Sequence, residues 1–539
     1  MDVTKISLAA SSKGGAVSAP HALAAEAGAA VLRSGGNAIE AGIAVASVLS
    51  VVYPHMNGLG GDAFWLISDG DARNVRGLAA AGPAGRHYSA ALFRERGLRE
   101  IPFRGGLSAL TVPGAVGGWG AAFNFSRNNW QGRKSWSDLL NSAYCHAAAG
   151  FPLSPNQSRT LARFGEVLRL QPGFAAQYLP GGEVPPVGRL WTQRALAQTL
   201  GHLAENGAEA FYHGPLARQM AKGLKAAGSL LTEADLQTFR PRWVEPLRTS
   251  FGVGEVINLP PPTQGVASLM ILALLHRRGL GSGDHLGAEL IHHTVEITKL
   301  AFKYRDRLVA DPDFGDVDVA PLLTPAFLDD CIKGMHFRTA APPPPMGLAK
   351  GDTVWFGVVD GRGRMVSVIQ SLYHEFGTGV VAGDTGVLWN NRGCAFSLAP
   401  GHINVLEPGK RPFHTLNPAL YAEQERVQLA YGSMGGDGQP QTQAALLMRA
   451  KYYGLSLAES VSSPRWLYGR TWGEASAGLR VERRYPETVF QDLGRWGHQV
   501  SWVPRYSDFM GHAGMVARDS AGEFAGAADP RSDGGVAVP

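Results

Sequence analysis

Asp352-Thr353-Val354-Trp355-Phe356-Gly357-Val358-Val359-Asp360 is the stretch on which the reading of this chain turns. Upstream of it lie Ala341, the run Pro342-Pro343-Pro344-Pro345 and Met346-Gly347-Leu348-Ala349-Lys350-Gly351, too rich in proline and glycine to be a packed element. Downstream the pattern changes to apolar, β-favouring residues from Val354 to Val359, then a turn at Asp360-Gly361-Arg362-Gly363, then a second apolar run from Met365 to Leu372. That pattern predicts a hairpin of two central strands. A flexible linker over residues 340–352 feeding a buried strand is what a processing site needs. A cut between Asp352 and Thr353 would give Thr353 a free α-amine beside its own hydroxyl. Such an amine has a pKa of about 7.7–8.0 and can take the hydroxyl proton, so nucleophile and base would share one residue. The competing reading is a linker between two domains with an ordinary threonine at the start of a strand.

Composition fits a globular protein with a sizeable core. The 539 residues are 45% hydrophobic, a length that allows more than one domain but that a large sandwich absorbs as one unit. The net charge of +5, from 50 Lys and Arg against 45 Asp and Glu, comes without a basic run and disfavours nucleic acid as a partner. Cys145, Cys331 and Cys394 are odd in number and widely spaced, which excludes a full disulfide framework and any C-x-x-C site; they are expected to be buried thiols. The first residues, Met1-Asp2-Val3-Thr4-Lys5-Ile6-Ser7, lack the basic and apolar regions of a secretory signal, so a cytoplasmic protein is expected. The most hydrophobic stretch, Ile39 to Tyr53, is interrupted by Glu40 and Gly42 and is shorter than the roughly 20 apolar residues of a membrane span. It predicts a buried helix capped by Ser34-Gly35-Gly36-Asn37 and ended by Pro54, with no membrane partner.

Ala22 to Leu32 predicts another helix, Ala63 to Ile67 a core strand, and the segment from Trp136 to about Lys333 mostly helices. Gly58-Leu59-Gly60-Gly61-Asp62 follows a helix and a proline rather than a strand, so it is no dinucleotide fingerprint. His292 and His293 stand at helical spacing from Glu289 and Glu296. No third metal ligand at a matching spacing is visible, and neither a metal nor any other cofactor is assigned.

Further motifs recur in order along the chain. They are Gly35-Gly36-Asn37-Ala38, Gly58-Leu59-Gly60-Gly61-Asp62, Val112-Pro113-Gly114, Phe211-Tyr212-His213-Gly214, Leu259-Pro260-Pro261-Pro262, Asp311-Pro312-Asp313-Phe314, Phe376-Gly377-Thr378-Gly379, Gly386-Val387-Leu388-Trp389-Asn390-Asn391, Lys410-Arg411-Pro412 and Gly432-Ser433-Met434-Gly435-Gly436. On these residues the chain resembles the γ-glutamyltransferase family of N-terminal-nucleophile hydrolases over nearly its whole length. The resemblance implies an α+β fold, a four-layer αββα sandwich, and a precursor that cuts itself into a large subunit, residues 1–352, and a small subunit, residues 353–539. It further implies Thr353 as nucleophile, Gly435 and Gly436 as the oxyanion hole, Ser371 as the hydroxyl that orients the nucleophile's amine, and a dimer of heterodimers as a possible assembly. Tyr373 stands where the family usually has an asparagine. His374 and Glu375 follow in the same loop and read as a solvated pair that could also face the pocket.

Departures from the family bear on substrate. The loop in which γ-glutamyl-specific members carry an arginine reads Leu78-Ala79-Ala80-Ala81-Gly82-Pro83, and Ala395 replaces their ammonium-binding aspartate. His414 and Thr415 replace two carboxylate-binding serines. A glutamyl group loses most of its charged anchors, and such a site rejects it. In exchange the chain has Arg392, His414 and Tyr373 around the expected pocket, which suits an anionic amide without an amino group, held by a guanidinium fork. The runs 370–377, 412–418 and 435–443 resemble the oxamate amidohydrolase branch of the family. That resemblance implies hydrolysis of oxamate to oxalate and ammonia in purine and allantoin breakdown. Three alternatives stand beside it: a γ-glutamyl hydrolase or transpeptidase, a β-lactam side-chain acylase, and an unprocessed scaffold.

Overall fold

Asp352–Asp360 and Met365–Tyr373 form the antiparallel hairpin that the apolar pattern predicts, with Phe356 opposite Val368 and Val358 opposite Val366. The computed structural model describes residues 7–280, 283–342, 352–469, 478–519 and 521–539. The hairpin sits at the centre of a seven-stranded antiparallel sheet in the order Gly535–Ala537, Gly15–Ala19, Asp352–Asp360, Met365–Tyr373, Asp62–Ser68, Arg76–Ala80, Arg242–Val244. A second seven-stranded antiparallel sheet runs Ala9–Ser12, Phe524–Ala528, Ala513–Arg518, Arg426–Ser433, Ala419–Glu423, Gly254–Asn258, Leu247–Phe251.

Strand periodicity explains the layering. Successive side chains of Val354 to Val359 point to opposite faces, and both faces are covered, so the sequence reads as an unbroken apolar run. Val354, Phe356 and Val358 join the core under the helices Ala22–Arg33, Ala38–Val52 and Ala115–Trp130. Trp355 and Val359 instead enter the core between the sheets, with Phe64, Ile369, Leu420 and Val516. On the far side, Gly265–Arg278, Ala288–Leu308 and Gly438–Lys451 cover the second sheet. The order is helix, sheet, sheet, helix: the expected αββα sandwich.

Helix Ala38–Val52 is buried along all its 15 residues and starts on a capping box. Asn37 Oδ1 accepts the N–H groups of Ile39 and Glu40, while Glu40 Oε2 accepts the Asn37 N–H at 2.8 Å. Among the described residues no helix is long and apolar enough to cross a membrane. Trp355 lies in a slot that only glycine leaves open. A Cβ at Gly432 or Gly514 would collide with its indole, whose Nε1 donates to Ser367 Oγ at 3.0 Å.

Three expectations are corrected. The stretch read as mostly helical also supplies Arg242–Val244, Leu247–Phe251 and Gly254–Asn258, short strands at the outer ends of both sheets. Cys145 is exposed and Cys331 and Cys394 are half-buried, because Cys145 sits on the outer side of the helix Trp136–Ala149. The linker read as residues 340–352 is held at both ends. Ala340 N–H donates to Trp496 O at 2.6 Å, Ala341 N–H to Glu296 Oε2 at 2.9 Å, and Asp352 already belongs to the strand. Residues 343–351 of that linker lie outside the described residues.

Candidate active site

Thr353 is buried at the start of the central hairpin, and its Oγ1 has no hydrogen-bond partner among the described residues. Asp352 pairs with Tyr373 and Val354 with Gln370, so Ser371 and Leu372 together oppose the single residue Thr353. This is a β-bulge, a device that re-aims side chains at the end of a ladder. Ser371 Oγ accepts the Tyr373 N–H at 2.7 Å. Tyr373 itself has φ of +85°, a left-handed value that costs a non-glycine residue about 1 kcal/mol or more. Asn391 helps to hold the bend: its Oδ1 accepts the His374 N–H at 3.1 Å and its own N–H donates to Leu372 O at 3.1 Å.

The bend brings the Tyr373 ring under Arg392, whose Cζ lies 4.2 Å from the ring centroid. Arg392 is 1% exposed, and none of Nε, Nη1 and Nη2 finds a hydrogen-bond acceptor among the described residues. The nearest opposite charge is Asp62, with Oδ2 4.0 Å from Arg392 Nε, an ion pair too long for a hydrogen bond. Asp62 Oδ1 accepts N–H groups from Gly114 at 3.1 Å and Gly82 at 3.4 Å. Burial pushes the Asp62 carboxyl up to about 7, against the pull of Arg392 and those two N–H groups. Burial likewise lowers Arg392 to about 10, opposed by Asp62. His414 packs edge-on to Phe64 with ring centroids 4.9 Å apart. Burial, then the charges of Arg392 and Arg411, hold its imidazole well below the ordinary range and therefore neutral. Neither His414 ring nitrogen nor Thr415 Oγ1 has a partner among the described residues.

Gly435 and Gly436 follow the strand Arg426–Ser433 with φ of +116° and +54°. The Gly435 carbonyl accepts the Gly438 N–H at 2.7 Å, which turns the N–H of Gly436, on the same peptide plane, the other way. Neither glycine's N–H is taken up by an acceptor among the described residues. Two free N–H groups on a glycine turn are what a developing oxyanion requires.

The structure places Ser371 opposite Thr353 in the ladder and the Arg392 guanidinium over the Tyr373 ring. His374 and Glu375 are corrected: they are buried rather than solvated, the His374 ring lying tilted against Phe103 with centroids 4.1 Å apart and the Glu375 carbonyl accepting Arg104 Nη1 at 2.6 Å. Asp62 ends the glycine motif Gly58-Leu59-Gly60-Gly61-Asp62, and its pairing with Arg392 joins chain segments far apart in sequence. The histidines read as an incomplete metal set acquire a third neighbour, His498, whose Nε2 lies 2.7 Å from His292 Nδ1 beside Glu296. Both Glu296 oxygens are already engaged, Oε1 by Lys299 at 2.7 Å and Oε2 by Ala341, and the buried ammonium opposes a cation there. The cluster reads as a polar joint.

The helix–sheet–sheet–helix layering is the fold of an N-terminal-nucleophile hydrolase. The chain belongs to the gamma-glutamyltranspeptidase family, whose profile matches residues 24–538. It is 47% identical over 521 residues to an oxamate amidohydrolase proenzyme of Klebsiella pneumoniae, covering 96% of this chain and 97% of the relative. It is 39% identical to a glutathione hydrolase-like YwrD proenzyme of Bacillus subtilis, with 96% and 97% covered. The crystal structure of cephalosporin acylase from Bacillus halodurans superposes with a TM-score of 0.89 at 32% identity, over 100% of this chain and 98% of that one. The proteins it resembles are named as an amidohydrolase, a glutathione hydrolase-like protein and an acylase, and this chain is an enzyme acting on amide bonds.

Proposed function

We propose that this protein is a self-processing amidohydrolase of a small carboxylate-bearing amide, oxamate, which it converts to oxalate and ammonia. The observation that carries the proposal is Arg392, a buried guanidinium whose three nitrogens find no acceptor among the described residues, stacked on the tyrosine that ends the partner strand of the hairpin. A buried cation left in this state calls for an anion with two parallel acceptor oxygens, which a carboxylate supplies. The similarity to an oxamate amidohydrolase proenzyme points the same way.

In maturation, Thr353 Oγ1 attacks the carbonyl carbon of Asp352, the acyl group moves from nitrogen to oxygen, and water hydrolyses the ester. The products are a carboxylate on Asp352 and a free amine on Thr353, dividing the chain into residues 1–352 and 353–539. In turnover the amine accepts the Thr353 hydroxyl proton as the oxygen attacks the amide carbon. The N–H groups of Gly435 and Gly436 stabilise the oxyanion, with Ser371 beside the amine. The amine's proton goes to the departing nitrogen, ammonia leaves, and water frees oxalate from the acyl-threonine. Arg392 binds the substrate carboxylate. The neutral His414 and Thr415 offer further hydrogen-bonding groups on the same side.

An α-amino group has no place built for it. Ala395 stands at the expected ammonium position, and a substrate cation would meet Arg392. The test is ammonia release from oxamate by matured protein, compared with aniline release from a γ-glutamyl anilide and cleavage of a β-lactam side-chain amide. Turnover of oxamate well above the other two is expected; preference for the anilide or the β-lactam amide would replace this reading.

A further inference from the structure

Gln264, fully buried at the N-cap of the helix Gly265–Arg278, ties together two loops that meet the substrate. Its Nε2 donates to Thr415 O at 2.7 Å and to Gly436 O at 3.0 Å. One carboxamide thus holds the loop carrying His414 and Thr415 to the turn carrying Gly435 and Gly436. Backbone contacts support it: Gln264 N–H donates to His414 O and His414 N–H to Pro262 O, both at 2.9 Å. The orientation of the amide follows from chemistry. The two carbonyls only accept, so the NH₂ must face them, and Oε1 must face a donor.

That donor is Arg305, 2% exposed on the helix Ala288–Leu308. Its Nη1 donates to Gln264 Oε1 at 2.9 Å and to Asp437 Oδ1 at 2.6 Å, and its Nε to Asp306 Oδ1 at 2.7 Å. Its guanidinium lies 3.8 Å from the Phe302 ring centroid. Gln264 and Arg305 both precede residue 352, whereas every group they hold at the site follows it.

We propose that Gln264, fixed by Arg305, is a positioning residue that sets the separation between the oxyanion turn and the His414–Thr415 loop beside Arg392, and thereby selects amides by how far their reacting carbonyl lies from the end that His414 and Thr415 contact. The inference rests on the amidohydrolase reading above. In oxamate the carboxylate carbon is bonded directly to the reacting carbonyl carbon, the shortest spacing such a substrate can have. A carboxamide bridging the two loops allows little variation in that spacing, and a displacement of about 1 Å at a reacting centre costs about 100-fold in rate.

The experiment measures kcat and KM of matured wild type, Gln264→Met and Arg305→Lys on oxamate, malonamate, succinamate and a γ-glutamyl anilide, with melting temperature as a control. Gln264→Met keeps the volume and removes the donors. It is expected to lower kcat on oxamate by about 100-fold, with a smaller change in KM, and to narrow the ratio of kcat/KM between oxamate and succinamate by at least about tenfold. Arg305→Lys keeps the charge beside Asp437 and loses the fork, and should move the ratio in the same direction by less. A parallel fall on all substrates with the ratio unchanged would overturn the proposal, as would loss of folded protein in both variants, which would make the bridge a structural brace. If wild type prefers the anilide, the oxamate reading fails, while a change of substrate-length ratio in the variants would still support the bridge.

Discussion

The hairpin around Thr353 and the glycine turn are tied mostly by backbone groups that satisfy one another, whereas Arg392, Asp62, His414 and Thr415 form a buried patch in which polar atoms, like Thr353 Oγ1 at the bulge, lack partners among the described residues. The first region is complete in its ladder and turn except at the Thr353 bulge and at the N–H groups of Gly435 and Gly436, which have no acceptor among the described residues and which the proposed reaction would use. The second is assembled at a cost to stability, since a buried charge without hydrogen bonds is unfavourable by several kcal/mol. On the proposed function, geometry at the reacting bond is supplied by the fold, and affinity by a deficit that a substrate carboxylate would fill. A deficit of this kind is where an active site trades stability for function.

The sharpest way to test the reactive half is Thr353→Ala. A single full-length chain on a denaturing gel and a fall in amide hydrolysis of about 10⁴-fold or more are expected, and two chains or normal turnover would break the assignment. Next in size, Arg392→Met is expected to lower kcat/KM on oxamate by about 100-fold, on the scale of charged hydrogen bonds worth about 1.5–3 kcal/mol each, without lowering the melting temperature. A large drop in melting temperature with activity kept would mean that the patch is structural and the contrast false. Ser371→Ala removes one hydroxyl from the complete region and should slow maturation and kcat by about three- to tenfold, on the scale of a single neutral hydrogen bond.

The smallest effect concerns pH. Asp62 has an ordinary carboxyl value of 3.8 and is raised by burial to about 7, so its neutral form is favoured in the folded protein. The stability this gives is present below pH 3.8 and is lost as pH rises through about 7. Above that, the carboxylate competes with substrate for Arg392. KM for oxamate should therefore rise a few-fold between pH 6 and pH 8, and Asp62→Asn should flatten both that rise and the accompanying fall in melting temperature.

The hairpin and the helix Ala38–Val52 were legible because each announces itself locally, the one by an apolar run with a turn, the other by a cap and a terminating proline. The short strands between Arg242 and Asn258 carry no such run. They pair only at the outer ends of sheets built by other segments, and tertiary context decides them. In the candidate site, Thr353 could be singled out because a threonine between a proline- and glycine-rich run and an apolar run is visible in one dimension, and Ser371, Tyr373, Arg392, Gly435 and Gly436 because they fall at or beside positions of the motifs that carry the family resemblance. Asp62, Gln264 and Arg305 could not, since a buried polar residue declares its partner only when the chain is folded. Cys145 shows the same limit: a thiol usually buried lies here on a helix face turned outward.

Strand order in the central sheet carries one more consequence. The hairpin from Asp352 to Tyr373 lies between Gly15–Ala19 on one edge and Asp62–Ser68 on the other, so segments from before and after Thr353 are woven through a single hydrogen-bonded fabric. If the backbone is severed at that point, as proposed, unfolding yields two strangers in solution, and recovery depends on their meeting rather than on one chain closing upon itself. The mature protein would then depend for its longevity on never letting go, and its resistance to heat or denaturant should grow with concentration and with the slowness of the first opening.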